Sequence, residues 1–198
     1  MKIEGLSQVV EFRTHLRQFL PIALLLGCLV LLLSACQAPP SPSGPFVRVE
    51  RVISGQTLEI LGLKDENTTQ RVRLIGIEAP DLEQQPWGFQ AQARLEELIG
   101  SKSRSTFAEP LPLVMLETDL EEQDSRDRKL AYVWQNGVLL NEQLVAEGLA
   151  LVSPQAPNAK YDQRLMHAQE KARLLGLGIW NPENPMRQTP SEFRNQEE

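Results

Sequence analysis

The 198-residue chain has little soft-ligand chemistry: two cysteines, Cys28 and Cys36, and two histidines, His15 and His167. That count excludes a disulfide scaffold and a zinc site assembled from Cys and His. A basic excess is also missing, with 20 Lys and Arg against 26 Asp and Glu and a formal net charge of −6. Such a balance provides no global attraction to nucleic acid, so any phosphate binding has to be local. No apolar run reaches the ~20 residues of a spanning helix; FLPIALLLGCLVLLL, residues 19–33, has fifteen. There is no Gly-rich phosphate loop and no Ser-His-Asp ordering. With 41% hydrophobic and 23% charged residues, the composition is that of an ordinary soluble domain, not of a disordered, collagenous or coiled-coil chain.

What is present begins at the N-terminus. The fifteen-residue run has the length of a signal-peptide core, and Lys2, Arg13 and Arg17 precede it against Glu4 and Glu11. Leu33-Ser34-Ala35-Cys36 follows. It resembles the lipobox of bacterial lipoproteins, in which the chain is cut before the cysteine and the cysteine is lipidated. The resemblance implies a signal peptide over 1–35 and a lipid on Cys36, which would tether the domain to a bacterial membrane on its extracytoplasmic side. An uncleaved anchor with an incidental cysteine is the alternative, and it tethers the domain on the same side. Cleavage removes Cys28, so the mature chain forms no internal disulfide, and it leaves 17 basic against 24 acidic side chains. Residues 36–45 comprise Cys36 and a Pro/Ser-rich linker. A single domain is expected over 46–181, and a poorly ordered tail over 182–198.

From Phe46 the pattern is β. Val47, Val49 and Val52 open a first strand, Ser54-Gly55 supplies a turn, and Thr57, Leu58, Ile60 and Leu61 form a second strand. Lys64-Asp65-Glu66-Asn67 reads as a loop. Val72 to Ile77 predicts a third strand, apolar on both faces and therefore covered on both sides, in which Arg73 is unusual. Pro86 starts a helix carrying Ala91, Leu95, Leu98 and Ile99, with Gly100 as its stop. Leu113–Leu116 and Leu130–Trp134 are the fourth and fifth strands, and Asn136-Gly137 is a hairpin turn. A short helix runs from Asn141 to Glu147 and stops at Gly148. Tyr161, Leu165, Ala168, Ala172 and Leu175 make the stripe of a last helix. Five strands with about three helices predict an α+β, mainly β fold: a five-stranded Greek-key barrel of the OB type with helices packed on it.

Five stretches then align in order: VISGQT (52–57), RLIGIEAPD (73–81), DSRDRKLAYVW (124–134), NGVLLNEQLVAEGLA (136–150) and GIW (178–180). Together they resemble the staphylococcal nuclease, or thermonuclease, family over nearly the whole domain. The resemblance implies calcium-dependent cleavage of DNA and RNA phosphodiesters. The family's two arginines, which hold the phosphate and stabilise its five-coordinate transition state, match Arg73 and Arg128. Guanidinium suits that task because it stays charged and binds phosphate oxygens as a planar fork. Alternatively, the two arginines merely pair with Glu78, Asp81 or Asp127. The family's calcium (Ca2+) ligands match Gln56, Glu78 and the backbone carbonyl of Ala79, and its general base matches Asp81.

The match has four departures. Gln56 stands in place of an aspartate, so the calcium site has one negative charge fewer, and affinity falls with ligand charge. Asp81 is one methylene, about 1.5 Å, shorter than glutamate, and a displacement of about 1 Å can cost roughly a hundredfold in rate. A relayed water, the longer Glu78 or the nearby Glu83 would restore the reach. Pro154 lies near the place of a tyrosine that stacks beside the nucleotide. Glu117, Asp119, Glu121, Glu122, Asp124 and Asp127 crowd the approach to Arg128, as a solvated acidic loop or a calcium-attracting one. His167 reads as a surface residue, and Trp87 as packing or a cleft border. Three functional readings result. One is a lipid-anchored extracytoplasmic nuclease, monomeric, acting on DNA or RNA; the second is a catalytically degenerate barrel serving as an envelope binding module; the third is a structural lipoprotein whose partner is another envelope protein.

Overall fold

The computed structural model describes residues 41–62, 68–100 and 110–196. The signal peptide, Cys36, the linker as far as residue 40 and the loop at 64–67 lie outside the described residues. In chain order the strands are β1 (Phe46–Ser54), β2 (Thr57–Leu61), β3 (Thr69–Leu74), β4 (Ile77–Glu78), β5 (Leu113–Glu117), β6 (Lys129–Gln135), β7 (Val138–Leu139) and β8 (Leu151–Val152). The helices are α1 (Trp87–Leu98), α2 (Leu140–Ala146), α3 (Asp162–Leu174) and α4 (Pro190–Arg194), with a 3-10 turn at Gly178–Trp180.

The sheet order β3-β2-β1-β5-β6 closes on itself because β3 also pairs with β6. This is the expected five-stranded barrel, and closure leaves its five strands without a free edge. Val47, Val49 and Val52 of β1 turn inward. The step from 49 to 52 breaks period two, and a register irregularity against β2 between Val49 and Arg51 resets the face. Leu58, Ile60, Val72, Leu74, Leu116 and Val133 fill the interior with no exposed surface.

The third strand departs from its predicted span. It stops at Leu74, turns at Ile75-Gly76 with Gly76 at φ +75°, and resumes as β4, which pairs with β8. The backbone therefore changes direction between Arg73 and Glu78. Asn141 supports this corner: buried at the start of α2, it donates from Nδ2 to the Ile75 carbonyl (2.8 Å) and accepts the Val133 N–H on Oδ1 (2.9 Å). Both backbone groups would otherwise be buried without a partner.

Helix α1 follows the predicted stripe, burying Gly88, Ala91 and Leu95. Gly88 is required by close approach, since a Cβ there would lie 1.9 Å from the Asp81 carbonyl oxygen. On α3, Leu165, Ala168 and Ala172 are buried as expected, but Leu175 lies past the helix end and is 60% exposed. The tail carries a short helix. Thr189 opens α4 with a capping box: its side chain accepts the Glu192 N–H while Glu192 accepts the Thr189 N–H.

Candidate functional site

Arg73 sits near the end of β3, opposite Leu130 in the parallel register with β6. Its side chain curls over the corner that follows. Nη1 donates to the Leu74 carbonyl (2.8 Å) and Nη2 to the Ile77 carbonyl (2.6 Å). Guanidinium has five N–H donors; two are spent on the backbone, leaving three for a ligand. Burial and then the charge of Arg128 push the group down to about 10, with Glu78 and Asp124 opposing. It remains a cation at neutral pH. Among the described residues Arg73 forms no ion pair with Glu78, Asp81 or Asp127, so incidental pairing does not explain its place between the buried Val72 and Leu74.

Arg128 is presented by a tight turn just before β6. Asp127 takes a left-handed φ of 57°, a conformation Asp tolerates better than most residues. The Asp124 carboxylate organises the turn by accepting the backbone N–H groups of Arg126 (2.9 Å) and Arg128 (3.0 Å) on Oδ1. Its Oδ2 takes Nε and Nη2 of Arg128, each at 2.7 Å. Burial raises the Asp124 carboxyl, but these hydrogen bonds outweigh it and hold the group below its ordinary range. The acidic partner of Arg128 is thus Asp124, which fixes its orientation. Because Lys129 pairs with Val72, the parallel register brings Arg128 beside the strand that carries Arg73.

The residues matched to calcium ligands are engaged elsewhere. The Gln56 side-chain carbonyl accepts the Ala79 N–H (2.7 Å), tying the β1–β2 turn to the segment after β4. The Glu78 carboxylate is ion-paired with Nη2 of Arg194 from α4. Asp81 caps its own turn, accepting the Glu83 N–H on Oδ1 (3.2 Å), and pairs with no arginine among the described residues. Calcium takes six to eight oxygens with anionic character. Here the one carboxylate of the matched set already faces a cation, and the amide oxygen already has a donor. Among the described residues no group of three or more His, Cys, Asp or Glu is placed to hold a metal ion. The donor set as arranged does not fit calcium, and no chemical step is derived through it.

The acidic stretch is neither simply solvated nor an open cation trap. Glu117 is buried and accepts from Trp134 Nε1 (2.9 Å), Lys160 Nζ (2.6 Å) and Tyr161 Oη (2.9 Å). Asp119 accepts the N–H groups of Ala159 and Lys160 at 3.0 Å, and Glu121 is bonded through its backbone to Asn158. These bonds fasten the loop to the segment leading into α3. Tyr161 is held in this network with its ring edge-on to Tyr132 and Trp134.

Sequence reading placed the two arginines, Glu78 and the Arg128 turn in one region, but it missed Arg194. The signal was available as Thr189-Pro190-Ser191-Glu192, a capping box followed by a basic last turn. Trp87 and the exposed Glu83 border a cleft of about 470 Å³ against the tail residues Met186, Arg187 and Phe193. A second cleft, of about 650 Å³, lies along α3 and includes Lys160, Arg164, Lys171 and the exposed His167. Neither cleft is lined by Arg73 or Arg128.

Residues 71–182 match the family model described as staphylococcal nuclease homologue. A thermonuclease of Staphylococcus hyicus is 32% identical over 139 residues, covering 68% of this chain and 75% of the relative. A thermonuclease of Staphylococcus intermedius is 34% identical over 142 residues, covering 69% and 77%. An uncharacterized endonuclease of Haemophilus influenzae is 29% identical over 181 residues, covering 91% of this chain and 87% of that protein.

Proposed function

The chain belongs to the staphylococcal nuclease family, and from that premise we propose that it hydrolyses phosphodiester bonds of DNA or RNA outside the cytoplasm. The observation that carries this reading is the placing of Arg128, in the turn just before β6, beside the strand that carries Arg73. Each is oriented by protein acceptors and each retains free N–H donors. A phosphodiester held between them gains a second negative charge as water adds to phosphorus. Fixed guanidinium donors stabilise that added charge more than the ground state.

Asp81 accepts the proton of the attacking water, directly or through a second water that makes up its missing methylene. The ester P–O bond opposite the incoming oxygen breaks, and the leaving oxygen takes a proton from solvent. The calcium assistance implied by the resemblance is no part of this reading, because Glu78 and Gln56 are committed elsewhere. The test is cleavage of single-stranded DNA and of RNA by the full chain in a neutral detergent. Cleavage is expected from the wild type and loss of it from Asp81→Asn; no cleavage of either substrate overturns the reading.

Location belongs to the same proposal. The lipobox-like Leu33-Ser34-Ala35-Cys36 supports a lipid-anchored protein facing away from the cytoplasm, held by multiple acyl chains. Metabolic labelling with a radioactive fatty acid tests it: label on the wild type and none on Cys36→Ser is expected. Equal labelling of the two contradicts it.

A further inference from the structure

The segment after Trp180 is pinned beside the site. Met186 N–H bonds the Ile179 carbonyl (2.9 Å), and the Gln188 carbonyl accepts Nε2 of Gln84 (2.9 Å). Gln84 is buried in the turn that carries Asp81, and its Oε1 accepts the Asp81 N–H at 3.2 Å. From that anchor Pro190 is buried and the capping box sets the direction of α4. Its last residue, Arg194, then reaches Glu78, the residue next to the carbonyl that holds Arg73.

We propose that Arg194 is a substrate-binding residue, so that the C-terminal helix completes a three-arginine phosphate site in which Glu78 seats a guanidinium in place of a divalent ion. The proposal rests on the nuclease reading above. Glu78 is mostly buried, whereas the Arg194 side chain is 41% exposed. Arg194 donates to Glu78 through Nη2, and the rest of its five-donor fork is available to an anion. Arg73, Arg128 and Arg194 bring three positive charges together in a chain whose overall charge is −6. Both Arg128 and Arg194 act on Arg73 as repelling neighbours, a repulsion that a bound anion relieves.

The test is the affinity of a fluorescein-labelled single-stranded oligothymidylate, read by anisotropy. It uses the full chain in neutral detergent with chelator, across a salt series, for wild type, Arg194→Ala, Arg194→Gln and Arg128→Ala. Removing one phosphate contact from single-stranded nucleic acid lowers the slope of log affinity against log salt by about 0.7. Arg194→Ala and Arg194→Gln are each expected to weaken binding roughly tenfold at low salt, with that change in slope. Replacing chelator by saturating calcium at matched ionic strength is expected to leave wild-type affinity unchanged.

Unchanged or tighter binding in both Arg194 variants overturns the proposal; the helix is then at most a latch over Glu78. A calcium-induced rise in wild-type affinity that Glu78→Gln abolishes overturns it too. Arg128→Ala separates the two levels. If it weakens binding while the Arg194 variants do not, only the third arginine is wrong. If Arg128→Ala binds as wild type does, the phosphate-clamp reading itself has failed.

Discussion

Replacing Arg73 by lysine keeps the charge and removes the fork. In the structure the guanidinium bridges the Leu74 and Ile77 carbonyls (2.8 and 2.6 Å) while keeping three N–H donors. An ammonium has three donors on one atom, so it cannot span both carbonyls and still present a bidentate face to phosphate. The structural loss is about one charge-assisted hydrogen bond, on the order of 1.5–3 kcal/mol. For a domain of this size that corresponds to a fall in Tm of roughly 3–10 °C. The catalytic loss is larger, because a donor aimed at developing charge contributes about 2.7–4 kcal/mol, or 10²–10³ in rate. Steady-state cleavage of a fluorescent single-stranded oligonucleotide, run well below the variant's Tm, separates the two effects. Arg73→Lys is expected to lose kcat/KM by about 10²–10³ while remaining folded by circular dichroism. A variant within roughly threefold of wild type would refute the fork argument, since that difference is under 1 kcal/mol of transition-state stabilisation.

Glu117→Gln tests the buried network under the acidic loop. Burial raises the Glu117 carboxyl, but hydrogen bonds from Lys160, Tyr161 and Trp134 outweigh it and hold it below its ordinary value. A depressed carboxylate contributes stability that is present above its unfolded value, about 4.3. That contribution is lost as pH falls through the folded value. Denaturant melts at neutral pH should show Glu117→Gln destabilised by about 2–3 kcal/mol, less than a fully buried pair because Lys160 is partly exposed. The gap should narrow from about pH 5 downward; a gap independent of pH would contradict the network. Gly88→Ala should lower Tm even though alanine is the better helix former by about 1 kcal/mol. Its Cβ would meet backbone at the Asp81 carbonyl, and overpacking of this kind costs about 1–3 kcal/mol. Thermal melts that show stabilisation would put that contact in error.

How far the sequence reveals this molecule depends on where the decisive interactions lie along the chain. The barrel strands were legible because alternation and turn residues are local: Val47 and Val49, Thr57 to Leu61, and the Asn136-Gly137 hairpin all emerge as read. The third strand's span was not, because apart from Arg73 the run Val72 to Ile77 carries no polar side chain and only Gly76 at φ +75° marks the corner. That corner, supported from 66 residues away by Asn141, is what lets Arg73 reach two carbonyls. Among the site residues, Arg73 and Arg128 were legible through a charged residue among apolar ones and through ordered motifs. Their partners were not, since Asp124 was one of six equivalent acids in a run and Arg194 reaches Glu78 across 116 residues. Glu117 illustrates the general reason. Its sequence context is that of a solvated loop, and only the arrival of Lys160 and Tyr161 makes it a core residue.

The central claim is that two oriented guanidiniums, Arg73 and Arg128, hold a phosphodiester for hydrolysis. Its most direct test is single-turnover cleavage of a labelled single-stranded oligonucleotide by the full chain against Arg128→Ala, with both proteins shown to be folded. The account predicts cleavage by the wild type and a loss of about 10²–10³ in the variant. Equal rates for the two proteins would contradict it.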